Sequence, residues 1–580
     1  MCFPVTNHSY GRPTRLPAAY VLDLRPNAPK SRFRRCLRWA CDYLTFYRCG
    51  SQTPSCHACP TFHERGNSLS GELATHGFAI AAALVLSFVA DLVARPRGAW
   101  RRPPVAILLH VFAVICVFCA AFSLTIRPLF SAFVAVALVG LLAAVSNAKY
   151  ESLLEPFVFT DLSLFSQLFS HPRLYLPFLS AGKVAAIAAC VMLLTSGYML
   201  ESPSFPSFRG VAIVAAAMCF LGARWFAAHL ALSLVASDDQ NRFGFFSVFV
   251  AYLLNGLRVS TIREFERQAG LGPFASGAPA TRPDVVVIQS ESFFDIRRAG
   301  PAINRDILSR FDQACREARV YGELTVPAWG ANTMRTEFAL LTGLGADRLG
   351  YARFYPYAFV RRACASIASW FRRGGYATVA IHPYYADFFG RDRVFPLMGF
   401  ERLVGIEAFA DAPRFGPYVS DSAVADAIIE TLDEPTDGPK FIFAMTMENH
   451  GPFHLEALPA GEMHFQHALG TDPVWRDLTV YLRHIENADA MIGRLLDHLR
   501  TSDRETVVCF YGDHVPALPH VFDKLGVSPQ TSDYFIWRNY GTDTPECRNL
   551  AAEELGSVLL HVVQDDGHRA EQPHASEKAT

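Results

Sequence analysis

The sequence predicts a multi-pass α-helical membrane region followed by an α/β domain with a mostly parallel central sheet flanked by helices. Apolar residues crowd into five runs between residues 75 and 236. After residue 284, short Val/Ile/Phe-rich runs alternate with amphipathic helical patterns, and a polar Gly/Ala/Pro stretch separates the two regimes.

The apolar runs are GFAIAAALVLSFVADLVA (77–94), VAILLHVFAVICVFCAAFSLTI (105–126), PLFSAFVAVALVGLLAAVS (128–146), VAAIAACVMLLTSGYML (184–200) and VAIVAAAMCFLGARWFAAHLALSLVA (211–236). Each is near the roughly 20 residues a helix needs to cross a bilayer. A 51% hydrophobic content with 18% charged residues is high for a soluble enzyme and agrees with this count. The last run carries Arg224 and His229, so it reads either as a fifth span or as a buried amphipathic helix, because a mid-span arginine is costly unless it faces protein or water. The first run lies too deep in the chain to be a cleaved signal peptide.

The first 70 residues hold ten Lys or Arg against three Asp or Glu, and six of the 14 cysteines. Basic excess of this kind favours the cytoplasmic side. CHAC (56–59) with His63 invites a zinc reading, but a CxxC without a second spaced pair favours a reduced, unstructured tail. With that tail inside, five crossings place everything after residue 240 outside the cytoplasm. The basic loop RPRGAWRR (95–102) then also lies outside, against the positive-inside tendency. A sixth crossing around FVFTDLSLFSQLF (157–169), with the tail outside, removes that conflict and leaves the C-terminal part external. The expected segments are a tail (1–72), a membrane region of about five helices (73–238), a surface helix and linker (239–282), a catalytic domain (283–565) and a polar C-terminal tail (566–580).

NRFGFFSVFVAYLLNGLR (241–258) has apolar residues at helical spacing between two arginines, which predicts a helix lying at the membrane surface. AGLGPFASGAPATRP (269–283) is the linker. DVVVIQ (284–289), ATVAIH (377–382), KFIFAMT (440–446) and TVVCFYG (506–512) read as strands buried on both faces of a parallel sheet. Helices are predicted over 303–318, 363–373 and 474–500, the last with Leu478, Leu482, Ile485, Ile492, Leu495 and Leu499 along one side. Strands and helices alternating in this way imply a doubly wound domain.

In such sheets ligands bind beyond the carboxyl ends of the strands. The first strand leads into Glu291, the KFIFAMT strand into His450, and TVVCFYG into Asp513 and His514. Glu, Asp and His suit a divalent ion such as Mn²⁺, Mg²⁺ or Zn²⁺. In VPAWGANTMRTEFALLTGL, Thr333 stands at a helix start. There a hydroxyl serves either as a helix cap or as a nucleophile activated by the metal, with the helix N-terminus stabilising phosphate charge.

PDVVVIQSESFFD, GANTMRTEF, HPYYADFFGRDR (382–393), FAMTMENHGPF and FYGDH together resemble the alkaline-phosphatase/sulfatase superfamily, and within it the lipoteichoic acid synthase and phosphoglycerol transferase group. The resemblance spans roughly residues 75 to 565 and implies a sulfatase-like catalytic domain. It carries the family's metal ligands onto Glu291, Thr333, Asp513 and His514, with Mn²⁺ the favoured ion. It makes Thr333 the nucleophile and His450 a catalytic, substrate-contacting histidine. The family's Trp-x-Arg substrate element corresponds to Phe389-Gly390-Arg391, with His382 at the matching distance before it. Phe389 here replaces Trp, and Leu518 stands where the synthases carry a small polar residue.

The resemblance implies that Thr333 displaces diacylglycerol from phosphatidylglycerol and that an acceptor hydroxyl, on a glycan or polyglycerolphosphate, then takes the glycerophosphate. The expected partners are this lipid donor, that acceptor and the bilayer, with no nucleic acid. Rival readings are a phosphoethanolamine transferase, a phosphodiesterase or sulfatase of the same superfamily, and a membrane sensor with a degenerate site. Sulfatases need a C/S-x-P-x-R signature, which is not present at Thr333. Arg-rich, Ala-rich usage points to a bacterial inner membrane with the catalytic domain facing the periplasm.

Overall fold

The computed structural model describes residues 61–164, 181–542 and 544–565. Residues 1–70 and 71–580 separate as two units, and apart from the first residues of the N-terminal helix the structure below belongs to the second. The CHAC motif, the end of the 157–169 stretch and the expected 566–580 tail lie outside the described residues.

Five N-terminal helices form on the five apolar runs: α1 (Thr61–Leu92), α2 (Pro104–Thr125), α3 (Pro128–Leu153), α4 (Ala181–Leu200) and α5 (Phe208–Ala228). α2 and α3 open on proline, whose fixed φ and missing N–H suit a first helical turn. Both end on a left-handed residue, Ile126 (φ 55°) and Leu154 (φ 54°). Among the described residues, four segments are long and apolar enough to cross a membrane, Ser70–Leu92, Pro104–Thr125, Pro128–Leu153 and Phe208–Ala228, and the bent pair Phe245–Gly256 with Val259–Ala269 passes the same test if taken as one span. The fourth run, expected as a full span, gives a shorter apolar helix, Val184–Leu200. The fifth run stops at Ala228 rather than at 236, so Arg224 sits about one turn from the helix end, where a long cationic side chain can reach the interface. The described part of the 157–169 stretch is a short 3₁₀ turn, Phe159–Leu164.

The single surface helix expected over 241–258 is instead two helices, α6 (Ala236–Phe243) and α7 (Phe245–Gly256), broken at Gly244 (φ 86°). A Cβ at Gly244 would lie 2.0 Å from the Arg102 guanidinium, so only glycine fits. Arg102 pairs there with Asp91, whose Oδ1 also accepts the Phe246 amide at 2.6 Å. The basic 95–102 loop is therefore partly neutralised inside the fold. α7 buries Phe245, Phe246, Val248 and Phe249 and packs on α2, α3 and α5, because its apolar residues surround the helix rather than form one stripe. After a 67° bend comes α8 (Val259–Ala269), which is the amphipathic helix of this region.

The α/β domain is built on β1 (Asp284–Ser290), β2 (Val320–Thr325), β3 (Ala377–Ile381), β4 (Arg402–Val404), β5 (Lys440–Met445), β6 (Thr506–Gly512) and β7 (Thr531–Arg538). They run in the order β2-β7-β6-β1-β5-β3-β4, and two-residue strands Glu546–Cys547 and Leu550–Ala551 pair with β2. From β6 to β4 every pairing is parallel, whereas β7 is antiparallel to both β6 and β2. All four strands expected from the sequence are present.

Helices cover both faces, among them α9 (Ser309–Glu317), α10 (Thr333–Thr342), α11 (Ile367–Arg373), α12 (Arg391–Leu397), α13 (Asp421–Asp433) and α14 (Arg476–Arg500). Val286, Ile288, Ile442 and Phe510 pack against α13 and α14, whose Leu478, Leu482, Ile485, Ile492, Leu495 and Leu499 are all buried as their spacing predicts. Val285, Val287, Phe441 and Cys509 face the other way, into a core continuous with the membrane helices.

Residue pairs Ser290–Gly512 and Gln289–Tyr511 bring the carboxyl ends of β1 and β6 level. At Gly512 a Cβ would lie 1.8 Å from the Phe293 carbonyl oxygen, so the turn after β1 requires glycine there. Gly512→Ala is expected to destabilise the protein by about 1–3 kcal/mol through overpacking, measured as a shift in the denaturant midpoint of the full chain.

Candidate active site

β1 and β6 end side by side, and their next residues, Glu291 and Asp513-His514, form a sealed cluster. Their ligand-type atoms all lie within 4.8 Å of one another. His514 Nε2 is 3.6 Å from Glu291 Oε1 and 3.4 Å from Asp513 Oδ2. His514 Nδ1 donates to the Val515 carbonyl at 3.0 Å, which leaves the Nε2 lone pair facing the carboxylates.

Ser292, absent from the sequence reading, ties the cluster together. It takes φ 53° so that its amide donates to Asp513 Oδ1 (2.8 Å) and its hydroxyl to Glu291 Oε1 (2.9 Å). Backbone strain of about 1–3 kcal/mol at such a residue persists only where surrounding contacts hold it. Here Tyr481 donates to the Ser292 carbonyl at 2.8 Å, and Asn449 Nδ2 to the Glu291 carbonyl at 3.1 Å.

Burial and then the Glu291 charge push the Asp513 carboxyl up to about 7. Burial lowers the His514 pKa, but the Asp513 and Glu291 charges outweigh it and the net shift is upward. Asp513 Oδ2 and His514 Nε2 are buried without a hydrogen-bond partner. Unpaired buried groups of this kind are costly, and a divalent cation would satisfy both at once. The donor set therefore fits a metal, with Glu291, Asp513 and His514 as its protein ligands and the Thr333 hydroxyl beside them.

Thr333 is the first residue of α10, half-buried, and its side chain lies close enough to the Asp513 carboxylate to oppose, weakly, the upward push of burial on that group. Asn332 precedes it at φ 69° and makes no capping bond to the helix, so the free N–H groups of the α10 N-terminus remain available to an anion. Thr336 Oγ1 donates to the Asp513 carbonyl at 2.7 Å and clips this first turn to the end of β6.

Behind α10 lies an ion pair. Glu337 accepts from Arg391 Nε at 3.0 Å and Nη2 at 2.8 Å, from Gln289 at 3.1 Å, and from Tyr357. Arg391, expected from the resemblance to contact the substrate phosphate, has its fork occupied by Glu337 and is 1% exposed. Its Nη1 faces His382 Nε2 at 3.4 Å. His382 is itself buried, and burial together with the Arg391 and His450 charges holds its pKa well below the usual value. Phe389 is buried at φ 57°, with the Arg391 guanidinium 5.2 Å from its ring centre. Glu337 was visible in the GANTMRTEF motif, but nothing in the sequence pairs it with Arg391, 54 residues away.

His450 follows β5 in a loop. Its Nδ1 donates to the Gly451 carbonyl at 2.7 Å, with the Tyr418 hydroxyl at 3.2 Å. The loop is pinned at both ends by His484 on α14, which contacts Glu448 at 3.0 Å and Glu456 at 2.9 Å. Burial opposes charging of His484, yet hydrogen bonds to the two glutamates raise its pKa to about 9, so it bridges them as a cation.

The profile of the sulfatase family matches residues 283–559. The capsular polysaccharide biosynthesis protein RkpI of Rhizobium meliloti is 30% identical over 466 residues, spanning 76% of this chain and 83% of that protein. The chain belongs to the sulfatase family. Among solved structures, the Streptococcus pyogenes phosphoglycerol transferase GacH, in complex with sn-glycerol-1-phosphate, is 22% identical with TM-score 0.41, covering 52% of this chain and 80% of its own. The lipooligosaccharide phosphoethanolamine transferase A (EptA) of Neisseria meningitidis is 14% identical with TM-score 0.49, covering 83% and 95%. This sulfatase-family protein thus combines apolar helices of membrane-crossing length with a soluble α/β domain bearing a metal-type cluster.

Two outcomes test the site. Asp513→Ala is expected to abolish bound metal, measured by elemental analysis of the purified full chain. The folded pKa values of Asp513 and His514 lie above their unfolded values of 3.8 and 6.5, so their contribution to metal-free stability is present at low pH and lost as pH rises. The melting temperature of chelator-treated protein should therefore fall between about pH 4 and neutrality through Asp513, and added divalent metal should restore it. In the buried pair, Arg391→Ala is expected to lower stability by about 3–5 kcal/mol, because it leaves Glu337 charged and unpaired. An Arg391 serving only the substrate would leave the unfolding midpoint unchanged.

Proposed function

We propose that this protein is a membrane-bound phosphoglycerol transferase, moving glycerophosphate from phosphatidylglycerol to an extracytoplasmic glycan or polyglycerolphosphate hydroxyl. The observation that carries the reading is Thr333 at an uncapped helix N-terminus, beside the Asp513 carboxylate of a metal-type cluster.

Thr333 Oγ1 attacks the donor phosphorus and directs its proton toward Asp513, while diacylglycerol leaves and a glycerophosphate ester forms on the threonine. The free N–H groups of α10 stabilise the phosphoryl oxygens as charge builds. His450 has Nδ1 committed to Gly451, so Nε2 is the atom that exchanges protons. As imidazolium it protonates the leaving oxygen, and in its neutral form it takes the proton of the incoming acceptor hydroxyl. A bound divalent ion, for which we favour Mn²⁺ over Mg²⁺ or Zn²⁺, supplies charge stabilisation for the nucleophile and the phosphoryl group. The buried Arg391–Glu337 pair holds α10 from behind.

The glycan acceptor is supported by the capsular polysaccharide role printed for the R. meliloti relative. Cys315, Cys364, Cys509 and Cys547 are all unbridged, which disfavours the disulfide-rich phosphoethanolamine alternative. For orientation we take α4 as the fifth crossing, since its 20 residues extend about 30 Å at 1.5 Å per residue. That places the catalytic domain in the periplasm of a bacterial inner membrane, opposite a cytoplasmic N-terminus.

Thr333→Ala is expected to reduce diacylglycerol release from phosphatidylglycerol by several orders of magnitude with little change in melting temperature, and Thr333→Ser to retain partial turnover. Mass spectrometry of the wild-type enzyme with phosphatidylglycerol and no acceptor should find glycerophosphate on the Thr333 peptide. A Thr333→Ala enzyme that cleaves the lipid at the wild-type rate would overturn the assignment.

A further inference from the structure

The loop after α3 reaches from the membrane region into the catalytic centre. Leu154 turns the chain at φ 54°, and the following residues are held in place from several directions. The Phe157 amide donates to Ser146 at 3.1 Å, and the Val158 amide to Asp161 at 2.9 Å. Asp161 pairs with Lys149 at 2.8 Å. The Phe157 ring stacks on Phe249 of α7 at 5.8 Å, and buried Phe159 closes on Gly256.

From this fixed loop Glu155 points across to α10. Its Oε1 accepts from Arg335 Nη1 at 2.7 Å and its Oε2 from Asn332 Nδ2 at 3.4 Å, while Lys149 lies 3.6 Å away. Asn332 and Arg335 flank Thr333, one residue before it and two after. Burial opposes ionisation of Glu155, but the Arg335 and Lys149 charges hold its pKa below the usual carboxylate range. Arg335 has only one other partner, the Phe354 carbonyl at 3.0 Å from Nε, and its Nη2 is buried without any. Nothing on α10 itself replaces Glu155, since Asn332 makes no capping bond and stands in the left-handed region.

We propose that Glu155 is a positioning residue of the catalytic centre, holding Asn332 and Arg335 so that the first turn of α10 presents the Thr333 hydroxyl, and thereby making one loop of the membrane region part of the active site. The inference rests on Thr333 being the nucleophile. It ties the turn that carries the nucleophile to the helices among which a lipid donor lies, so that chemistry is set up where that donor is delivered. A charged hydrogen-bond pair of this geometry fixes an arginine more tightly than a neutral contact does. Small displacements of a nucleophile are expensive in rate even when binding is unaffected.

The test uses the full chain in phosphatidylglycerol-containing nanodiscs, with Glu155→Ala, Glu155→Gln and the double charge reversal Glu155→Arg/Arg335→Glu. The measurements are kcat and KM for the lipid, the single-turnover rate of Thr333 adduct formation, bound metal and melting temperature. Glu155→Ala and Glu155→Gln are expected to lower kcat and the adduct rate by about tenfold or more, with KM and metal content close to wild type and with a melting temperature that, though lowered by the unpaired Arg335, stays well above the assay temperature. The charge reversal should recover part of the loss relative to Glu155→Ala. Near wild-type kcat in Glu155→Ala, or a loss of rate that tracks loss of metal or of fold, would overturn the proposal. The same variants are assayed on bis(p-nitrophenyl) phosphate, a soluble diester. A wild-type enzyme that cleaves this diester through Thr333 but leaves phosphatidylglycerol untouched would refute the donor and leave the Glu155 comparison readable.

Discussion

Two carboxylates and an imidazole, sealed from water at the ends of two neighbouring parallel strands, set the terms for the rest of the structure. Glu291 and Asp513 repel each other across a site from which burial has removed solvent screening, and His514 offsets this only in part. Holding them together requires a strained Ser292, a glycine at 512 where no side chain fits, and a hydroxyl clip from Thr336. A fold that relaxed any of these would separate the charges. Their retention is the physical signature of a site arranged for a cation, not for maximal stability.

The surroundings are rigid for the same reason. α10 is backed by the Arg391–Glu337 pair, into which Tyr357 and Gln289 also donate. Such a pair offers little net stability over an apolar replacement, but it admits one geometry and so orients the helix above it. The loop carrying His450 is treated similarly, with cationic His484 drawing Glu448 and Glu456 together beneath it. Thr333 and His450 are thus each mounted on a buried charged scaffold.

The membrane region does more than anchor. Its apolar core runs into one face of the sheet without a break. α7, expected as a helix resting on the bilayer surface, is buried among α2, α3 and α5 and links the two regions. Glu155 extends that continuity to the first turn of α10.

The strands, the long amphipathic helix α14 and the apolar runs were legible in the sequence because each is a local periodicity whose side chains all meet one environment. The positions of Glu291, Asp513 and His514 were legible for a related reason, since residues immediately after buried parallel strands must emerge at the ligand-binding edge. Residue type and strand position alone determined those, together with the membrane-plus-α/β plan. What only the tertiary structure decided were the partners. The sequence offered Arg391 as a partner for a phosphate oxygen, with no sign that Glu337 would meet it from another helix. Ser292 had no sequence signal because its role depends on a backbone turn closing against β6. Glu155 carried no sequence signal, because its contact with Arg335 spans 180 residues. A charge in a sequence carries no label saying which opposite charge will desolvate it, and that choice is made when separate elements pack.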